Sequence, residues 1–319
     1  MLDQMLAQLE PEIAVCLASL DAPGDADPYW PKWNTHWWKL ALLKEMGLIE
    51  RVPSAVLEAF AAELDSHYLR HFPLLESELP PACDPYRDIL CFCALGTAAQ
   101  ILLAGGVPVW ERLPWLQSWL ARYVLPDGGY NCDEQAYTGS RKSSIVSTAP
   151  MLEALLASRP GDFSPDEREL LSGGLAYFLA QRLFRRRNGE LIDAAWLRPL
   201  FPRFYAYDLL RGLNLVTRLA LALSQPLPRA VIAEAVDLLS QQAATGQLLP
   251  QPWYLGQEST LMPTDGGWVR GHPVQSFSLL AQVSRPEIGA LWLSREWGEV
   301  QAQLAALESL GLIAPASSV

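Results

Sequence analysis

The sequence has few charged residues, and the basic ones are the scarcer of the two signs. Charged residues make up 18% of its 319 residues, whereas about 25% is usual in globular proteins. It has 24 Lys and Arg residues against 35 Asp and Glu residues. A surface that follows a phosphate backbone needs a basic face, so the composition excludes a nucleic-acid-binding protein. A hydrophobic share of 50% likewise excludes an intrinsically disordered chain.

Long apolar runs and regularly spaced cysteines are also missing. No run approaches the roughly 20 apolar residues that span a bilayer, and the N-terminus opens with acidic residues instead of a basic leader. We therefore expect a cytoplasmic protein with no transmembrane segment. The cysteines, Cys16, Cys83, Cys91, Cys93 and Cys132, are odd in number and irregularly spaced. Such usage predicts reduced, mostly structural thiols instead of a disulfide framework.

Helical periodicity dominates the sequence, and strand-like alternation is almost absent. Segments that are apolar on most of their circumference start near residues 34, 86, 143, 203 and 272, and an amphipathic segment follows each one. A helix that is apolar all round must be surrounded by protein, whereas an amphipathic helix needs only one covered face. Repeated pairs of this kind stack into an open solenoid or close into a ring.

We predict an all-α protein with the architecture of an α/α toroid. Five to six helical hairpins would form an inner ring of apolar helices and an outer ring of amphipathic helices around a concave centre. One domain covers residues 1–319: an N-terminal helix and a Pro/Gly-rich segment (1–33), the helix repeats (34–284), and a C-terminal outer helix with a tail (285–319). An open solenoid is the alternative.

Two stretches of the sequence carry an Asp-Gly-Gly-aromatic motif, at residues 127–130 and 265–268. The glycines allow a sharp turn between an outer and an inner helix, and the aromatic residue packs beneath the turn. These stretches resemble the repeat of squalene–hopene cyclases and protein prenyltransferase β subunits, and residues 201–213 resemble bacterial members of that superfamily. The resemblance implies an α/α toroid that binds an apolar or isoprenoid-like small molecule in a central cavity.

The catalytic motifs of those two families are absent from the sequence. Triterpene cyclases protonate their substrate through Asp-x-Asp-Asp, and the nearest string here is Asp25-Ala26-Asp27-Pro28. Prenyltransferases hold zinc with Asp, Cys and His ligands after the glycine repeat, where this chain has residues 142–145 without a cysteine. His67 and His71 share a helical face, but that helix is predicted to be an outer one. We therefore expect no cofactor and no metal.

A polar loop at residues 131–144 is the first candidate site. Its candidate catalytic residues are Asp133, Glu134, Tyr137 and Arg141. Adjacent carboxylates at the mouth of a low-dielectric cavity have separated pKa values, which suits acid–base catalysis. The alternative is a solvated loop in which basic and acidic side chains pair with each other.

The start of the fourth apolar helix is the second candidate. Asp208 is a candidate catalytic residue, and Arg203 and Tyr205 are candidate substrate-binding residues. Asp208 and Arg211 are three residues apart, so they share a helix face and can pair. These polar groups either line the cavity or fasten the helix to a neighbour. His272, at the start of the last apolar helix, is a candidate general base or a loop residue.

An aromatic cluster near residues 30–38 is the third candidate. Trp33, His36 and Trp37 are candidate substrate-binding residues, with Trp30 and Trp38 beside them. Such rings stack on a polyene, a carbocation or a sugar, and core packing explains them equally well.

Three functions remain open from the sequence, and oligomeric state is not predicted. The first is a terpenoid-cyclase-like enzyme that acts on an apolar small molecule. The second is a carbohydrate-active toroid enzyme, which needs two carboxylates about 5 to 10 Å apart across a groove. The third is a non-catalytic binding or scaffold protein.

Overall fold

The computed structural model describes residues 1–20, 27–159, 161–244, 246–251, 259–271 and 276–314, and within them the chain is mostly helical. The helices are α1 (Leu2–Gln8), α2 (Glu10–Ala18), α3 (His36–Glu45), α4 (Ser54–His67), α5 (Phe92–Ala104), α6 (Val109–Arg112), α7 (Pro114–Arg122), α8 (Ile145–Ser158), α9 (Pro165–Ala180), α10 (Leu209–Leu223), α11 (Arg229–Ala243), α12 (Ser278–Val283) and α13 (Pro286–Ser309). The strands are β1 (Leu227–Pro228), β2 (Thr260–Thr264), β3 (Gly267–Gly271) and β4 (Ile313–Ala314). None of these helices combines the length and the apolar character that crossing a bilayer requires.

Helices α3, α5, α8 and α10 correspond to the first four apolar segments of the sequence. Most of their side chains are buried, whereas few residues of α4, α7 and α11 are. The predicted alternation of apolar and amphipathic helices is therefore confirmed for these elements. Buried apolar residues from Leu9 to Leu307 form one hydrophobic core.

Helices α5 and α8 pack closely against each other, and a glycine makes this approach possible. A Cβ atom added to Gly96 of α5 would lie 2.5 Å from the carbonyl carbon of Pro150 in α8 and 2.6 Å from the amide nitrogen of Met151. Gln100 Nε2, one turn further along α5, donates a hydrogen bond of 2.9 Å to the carbonyl oxygen of Pro150. The absence of a side chain at Gly96 thus lets the two helix backbones approach each other, and the buried amide group of Gln100 forms a hydrogen bond with the backbone of α8.

Helix contacts run from α3 to α5, from α5 to α8, from α8 to α10 and from α10 to α13. Trp292 of α13 donates a hydrogen bond of 3.2 Å from Nε1 to the carbonyl oxygen of Met46, the residue after α3. The sequence interpretation made α13 an outer helix that follows an apolar one beginning at residue 272. In the structure α13 packs on α10, and the helix that precedes it is the short α12.

The two glycine motifs have different structures. At residues 127–130, Gly128 has a φ of +93°, and Tyr130 is fully buried with its hydroxyl donating to the carbonyl oxygen of Leu120 at 2.8 Å. This turn matches the prediction that the aromatic residue packs beneath it. At residues 265–268 the motif forms the turn of the antiparallel hairpin β2–β3, and Trp268 contacts the guanidinium group of Arg87 at 4.9 Å.

Candidate functional site

An apolar cavity of about 650 Å³ lies between the end of α4, the start of α5 and the loops around residues 29 and 132. Its lining residues are mainly aromatic and aliphatic: Tyr29, Trp30, Tyr68, Phe72, Pro73, Leu74, Leu75, Leu79, Pro85, Tyr86, Ile89, Leu90 and Ala94, with Glu76, Cys91, Cys132 and Glu134. Leu75 is 54% exposed and Tyr86 is 64% exposed. The cavity is therefore open to solvent on a side where large apolar side chains remain uncovered.

The long connection between α4 and α5 forms most of the cavity wall. Proline recurs in this connection, at positions 73, 80, 81 and 85, and disfavours a continuous helix. The backbone N–H of Phe72 donates to the hydroxyl of Tyr123 at 3.0 Å, and Trp30 Nε1 donates to the carbonyl oxygen of Tyr86 at 2.9 Å. The wall is thus irregular in conformation but bonded to the rest of the protein at both ends.

The predicted aromatic cluster lies next to the cavity, but not all of its residues line the cavity wall. Tyr29 and Trp30 line the cavity. Trp33 and Trp37 are outside the lining and almost completely buried, and Trp37 Nε1 donates to the carbonyl oxygen of Ala94 at 3.0 Å. Trp37 therefore packs behind the cavity wall, whereas Trp33 packs against Trp38 and Phe204 in the core.

The other two residues predicted to bind substrate near this cluster have protein partners. His36 Nδ1 lies 3.2 Å from Glu63 Oε2. The hydroxyl of Tyr205 lies 3.4 Å from Lys32 Nζ, and its ring is 6.1 Å from that of Trp37. The structure thus brings Tyr205 and Trp37 together, and neither of them lines the cavity.

Of the four candidate catalytic residues in the loop, Glu134 lines the cavity and the other three do not. Asp133 is exposed, and its Oδ1 accepts from the backbone N–H of Gln135 at 2.9 Å. The hydroxyl of Tyr137 donates to the carbonyl oxygen of Asn131 at 3.1 Å, and burial, the largest effect, raises its pKa. Arg141 is exposed and ends a π-helical turn with a φ of +52°.

Three cysteine side chains meet at the edge of the cavity. Cys91 Sγ is 3.0 Å from Cys93 Sγ, and Cys132 Sγ is 3.8 Å from Cys93 Sγ. Hydrogen bonds from Cys132 and Cys93, together with backbone amides at the start of α5, lower the pKa of Cys91 well below its usual value, although burial opposes this. Hydrogen bonds of Cys93 with Cys132 and with Cys91, together with burial, raise the pKa of Cys93. Sequence spacing gave no sign of this cluster, because its third member comes from a distant loop.

Asp27 fixes the backbone of the loop that carries Tyr29 and Trp30. Its Oδ1 accepts from the backbone N–H groups of both residues at 2.9 Å, and its Oδ2 lies 3.4 Å from His67 Nε2. Burial acts to lower the pKa of His67, but the nearby carboxylate of Asp27, with smaller contributions from Arg87 and Asp88, outweighs it, so the pKa is raised. His71 Nε2 instead lies 3.2 Å from the carbonyl oxygen of Glu78. The two histidines considered as a metal pair thus have separate partners.

A second, polar cavity of about 120 Å³ lies among α3, α8, α10 and α13. Asp208 accepts from the backbone N–H of Arg211 at 2.9 Å and forms an ion pair with Arg203, which also binds Glu296. The pairing predicted between the side chains of Asp208 and Arg211 is wrong. The Arg211 guanidinium instead binds both oxygens of Glu153, at 2.9 and 2.6 Å, because Asp208 caps the helix.

Carboxylates in this polar cavity differ in their proton affinity. Burial alone would raise the pKa of Glu153, but the charge and hydrogen bonds of Arg211 outweigh it and lower the value to about 2. Burial raises the pKa of Glu45, although backbone N–H groups of Arg203 and Phe204 donate to its two oxygens. Lys44 Nζ donates to Gln100 Oε1 at 2.6 Å and extends the network to α5.

His272, the last predicted catalytic residue, lies outside the described residues. The structure therefore groups the predicted residues into two places. Glu134 lines the apolar cavity, while Arg203 lines the polar one and is paired with Asp208.

The comparisons with known proteins give little beyond this geometry. No family model matches the sequence, and no curated protein matches it. Among solved structures, a type II terpene cyclase from Scytonema, in complex with geranylgeranyl dihydroxybenzoate as substrate, is similar at 18% identity. The match covers 81% of this chain and 84% of the other chain with a TM-score of 0.30. Similarity of this degree does not transfer an activity or a ligand to this chain.

Proposed function

We propose that the protein binds an apolar, isoprenoid-like small molecule in the 650 Å³ cavity. The observation that supports this proposal most strongly is the lining of the cavity. Aromatic and aliphatic side chains surround the space, and its charged side chains are those of two glutamates. Binding sites for small molecules have volumes of about 300 to 1,000 Å³ and mostly apolar walls with few polar groups. Each buried methylene of such a ligand would contribute about 0.8 kcal/mol before the costs of association.

The architecture that we propose for this site is the α/α toroid, as one domain. The contacts that lead from α3 through α5, α8 and α10 to α13 support it, as does the hydrogen bond from Trp292 back to Met46. In such a ring the polar cavity among α3, α8, α10 and α13 would be the centre. The ligand would then bind to one side of the ring, at the ends of the helices, instead of along its axis.

We further propose that the bound molecule is a substrate and that Glu134 acts on it. Glu134 is the predicted catalytic residue that lines the cavity, and the other lining carboxylate is Glu76. A Glu134→Gln substitution should preserve ligand binding and abolish turnover, because it keeps the size of the side chain and removes its ability to exchange a proton. Equal turnover by both proteins would exclude Glu134 as the acting group, and no turnover by the parent protein would leave a binding function alone.

The polar cavity supports the carbohydrate-active alternative less well. Glu153 is held by Arg211, Glu296 by Arg203 and Asn214, and Glu45 by two backbone N–H groups. A volume of about 120 Å³ is also small for a sugar site. We therefore propose that these ion pairs hold the helices together.

The five free cysteines favour a reducing compartment such as the cytoplasm.

The proposed binding is tested by titrating the purified protein with prenyl alcohols of increasing length in a calorimeter. We expect one site, and an affinity that rises with chain length until the cavity is full. Leu75→Asp should weaken binding at least tenfold, because it places a charge in the cavity wall. Leu249→Asp is the matched control, since Leu249 is 57% exposed and lies outside the lining.

Two outcomes would contradict the proposal. One is the absence of saturable binding by any of these alcohols up to their solubility limit. The other is equal weakening by Leu75→Asp and Leu249→Asp, which would place the binding surface elsewhere.

A further inference from the structure

The three cysteines at the cavity edge have the spacing of a metal-ligand set. The Sγ atoms of Cys91, Cys93 and Cys132 all lie within 4.8 Å of one another. Zinc binds thiolates at about 2.3 Å in a tetrahedron, so the edges between sulfur atoms are about 3.8 Å long. The Cys93–Cys132 distance is 3.8 Å, and the Cys91–Cys93 distance of 3.0 Å needs only a small side-chain rotation to reach that length.

From this geometry we infer that Cys91, Cys93 and Cys132 bind one zinc ion, with the fourth coordination position directed at the apolar cavity. Zinc is the divalent ion that a set of three thiolates suits best, because soft sulfur ligands and tetrahedral spacing favour it. The inference concerns the metal alone and holds whether or not the cavity binds an isoprenoid.

The surroundings of the three sulfur atoms suit an anionic cluster. Cys91 is the N-cap residue of the 13-residue helix α5, where the helix dipole stabilises negative charge. Ser147 Oγ donates to Cys132 Sγ at 3.1 Å, and the same oxygen accepts from the backbone N–H of Cys132 at 3.1 Å. Hydrogen bonds of this kind orient a metal ligand from outside the coordination sphere.

The fourth coordination position of the zinc ion would face the cavity, because two of the three cysteines line it. Cys91 and Cys132 line the cavity, and Ala94, which lines it with them, offers only a methyl group. Three protein ligands with a vacant fourth position are typical of zinc sites that bind an exchangeable ligand, whereas structural sites are closed by four. A small donor such as imidazole should therefore reach the ion through the cavity.

A disulfide is the competing use of these thiols. Cys91 and Cys93 are separated by one residue, and a bond between them would leave Cys132 without a partner. The metal uses all three sulfur atoms, and the disulfide uses two. Intact mass under native conditions distinguishes them, because zinc adds its own mass and the disulfide removes two hydrogens.

The inference is tested on the full chain, purified with its thiols reduced and titrated with Co²⁺ and then Zn²⁺. We expect one ion per chain, with the sulfur-to-cobalt charge-transfer bands and the visible bands of tetrahedral Co²⁺, and displacement of cobalt by zinc. Imidazole should shift the visible bands. Cys93→Ser and Cys132→Ser should each weaken zinc binding at least about 100-fold, and Ser147→Ala about 10-fold.

Cys83→Ser is the control, because Cys83 is a half-buried thiol outside the cluster. It should leave stoichiometry and spectra unchanged, and circular dichroism verifies that each variant is folded. The inference is overturned if the folded protein binds less than one zinc ion, if Cys132→Ser binds zinc as tightly as the parent, or if intact mass shows that Cys91 and Cys93 remain joined as a disulfide after treatment with a thiol reductant. If imidazole left the visible cobalt bands unchanged, the claim of an accessible fourth coordination position would be overturned.

Discussion

Replacing Glu153 with glutamine should cost the protein about 3 kcal/mol of stability at neutral pH. Glu153 is 9% exposed, and both of its oxygens bind the guanidinium group of Arg211. Glutamine keeps the size of the side chain but leaves the buried charge of Arg211 without a counter-charge. Breaking a buried pair in this way costs about 3 to 5 kcal/mol.

The pKa of Glu153 gives the same magnitude independently. It falls from 4.5 to about 2 on folding. Each tenfold change in proton affinity corresponds to about 1.36 kcal/mol, so the lowered pKa corresponds to about 3 kcal/mol of stability. Because the folded-state pKa is the lower one, this stabilisation is fully present above pH 4.5 and is lost as the pH falls toward 2. The variant should lack this part of the pH dependence.

Urea unfolding of the parent protein and of Glu153→Gln, at pH 7 and at pH 3, measures both effects. The difference in unfolding free energy between the two proteins should be about 3 kcal/mol at pH 7 and clearly smaller at pH 3. Glu234→Gln is the control, since Glu234 forms a similar pair with Arg185 on the surface and should matter much less. Equal stability of Glu153→Gln and the parent at pH 7 would refute the reasoning.

Two further predictions concern α5 and the Asp27–His67 pair. Gly96→Ala should destabilise the protein by about 1 to 3 kcal/mol in urea unfolding, because the new methyl group collides with the backbone at Pro150. Gly298→Ala is the control: its methyl group meets no atom within 4 Å, so this variant should be neutral or stabilising. The raised pKa of His67 adds stability that is fully present below about pH 6.5 and is lost as the pH rises through the folded-state value. Asp27→Asn should remove this loss of stability above about pH 6.5, and a pH profile of thermal unfolding identical to that of the parent would contradict the pairing.

Local patterns in the sequence were sufficient to predict most of the helices. The apolar segments that became α3, α5, α8 and α10 are recognisable because a helix surrounded by protein has no polar face. The first glycine motif was also predictable, since the burial of Tyr130 follows from the turn before it. These features depend on residues that are close in the chain.

Helix boundaries were less predictable where side chains compete for backbone groups. The second apolar segment was expected to be helical from Tyr86, but α5 begins at Phe92. Asp84 accepts from the backbone N–H of Tyr86, and Asp88 accepts from that of Asp84, at 2.9 and 2.8 Å. Aspartate side chains that bond to nearby N–H groups offer an alternative to helix formation.

The candidate sites depended on long-range contacts that a sequence pattern does not contain. The thiol cluster brings Cys91 and Cys93 together with Cys132 from a distant loop. Arg211 forms an ion pair with Glu153 on another helix. The second glycine motif has the same residue types as the first but turns a hairpin, because the residues on both sides of it pair as strands. Polar residues could therefore be recognised as important without their partners being known.

Photo-crosslinking tests the proposed binding site most directly. A prenyl alcohol that carries a diazirine near its end is irradiated with the protein, and the labelled peptides are identified by mass spectrometry. We expect labels on cavity-lining residues between positions 68 and 94 and around 132–134, and an excess of unlabelled alcohol should suppress them. Labels that concentrate on α10 or α13 around the polar cavity, or that resist competition, would contradict it.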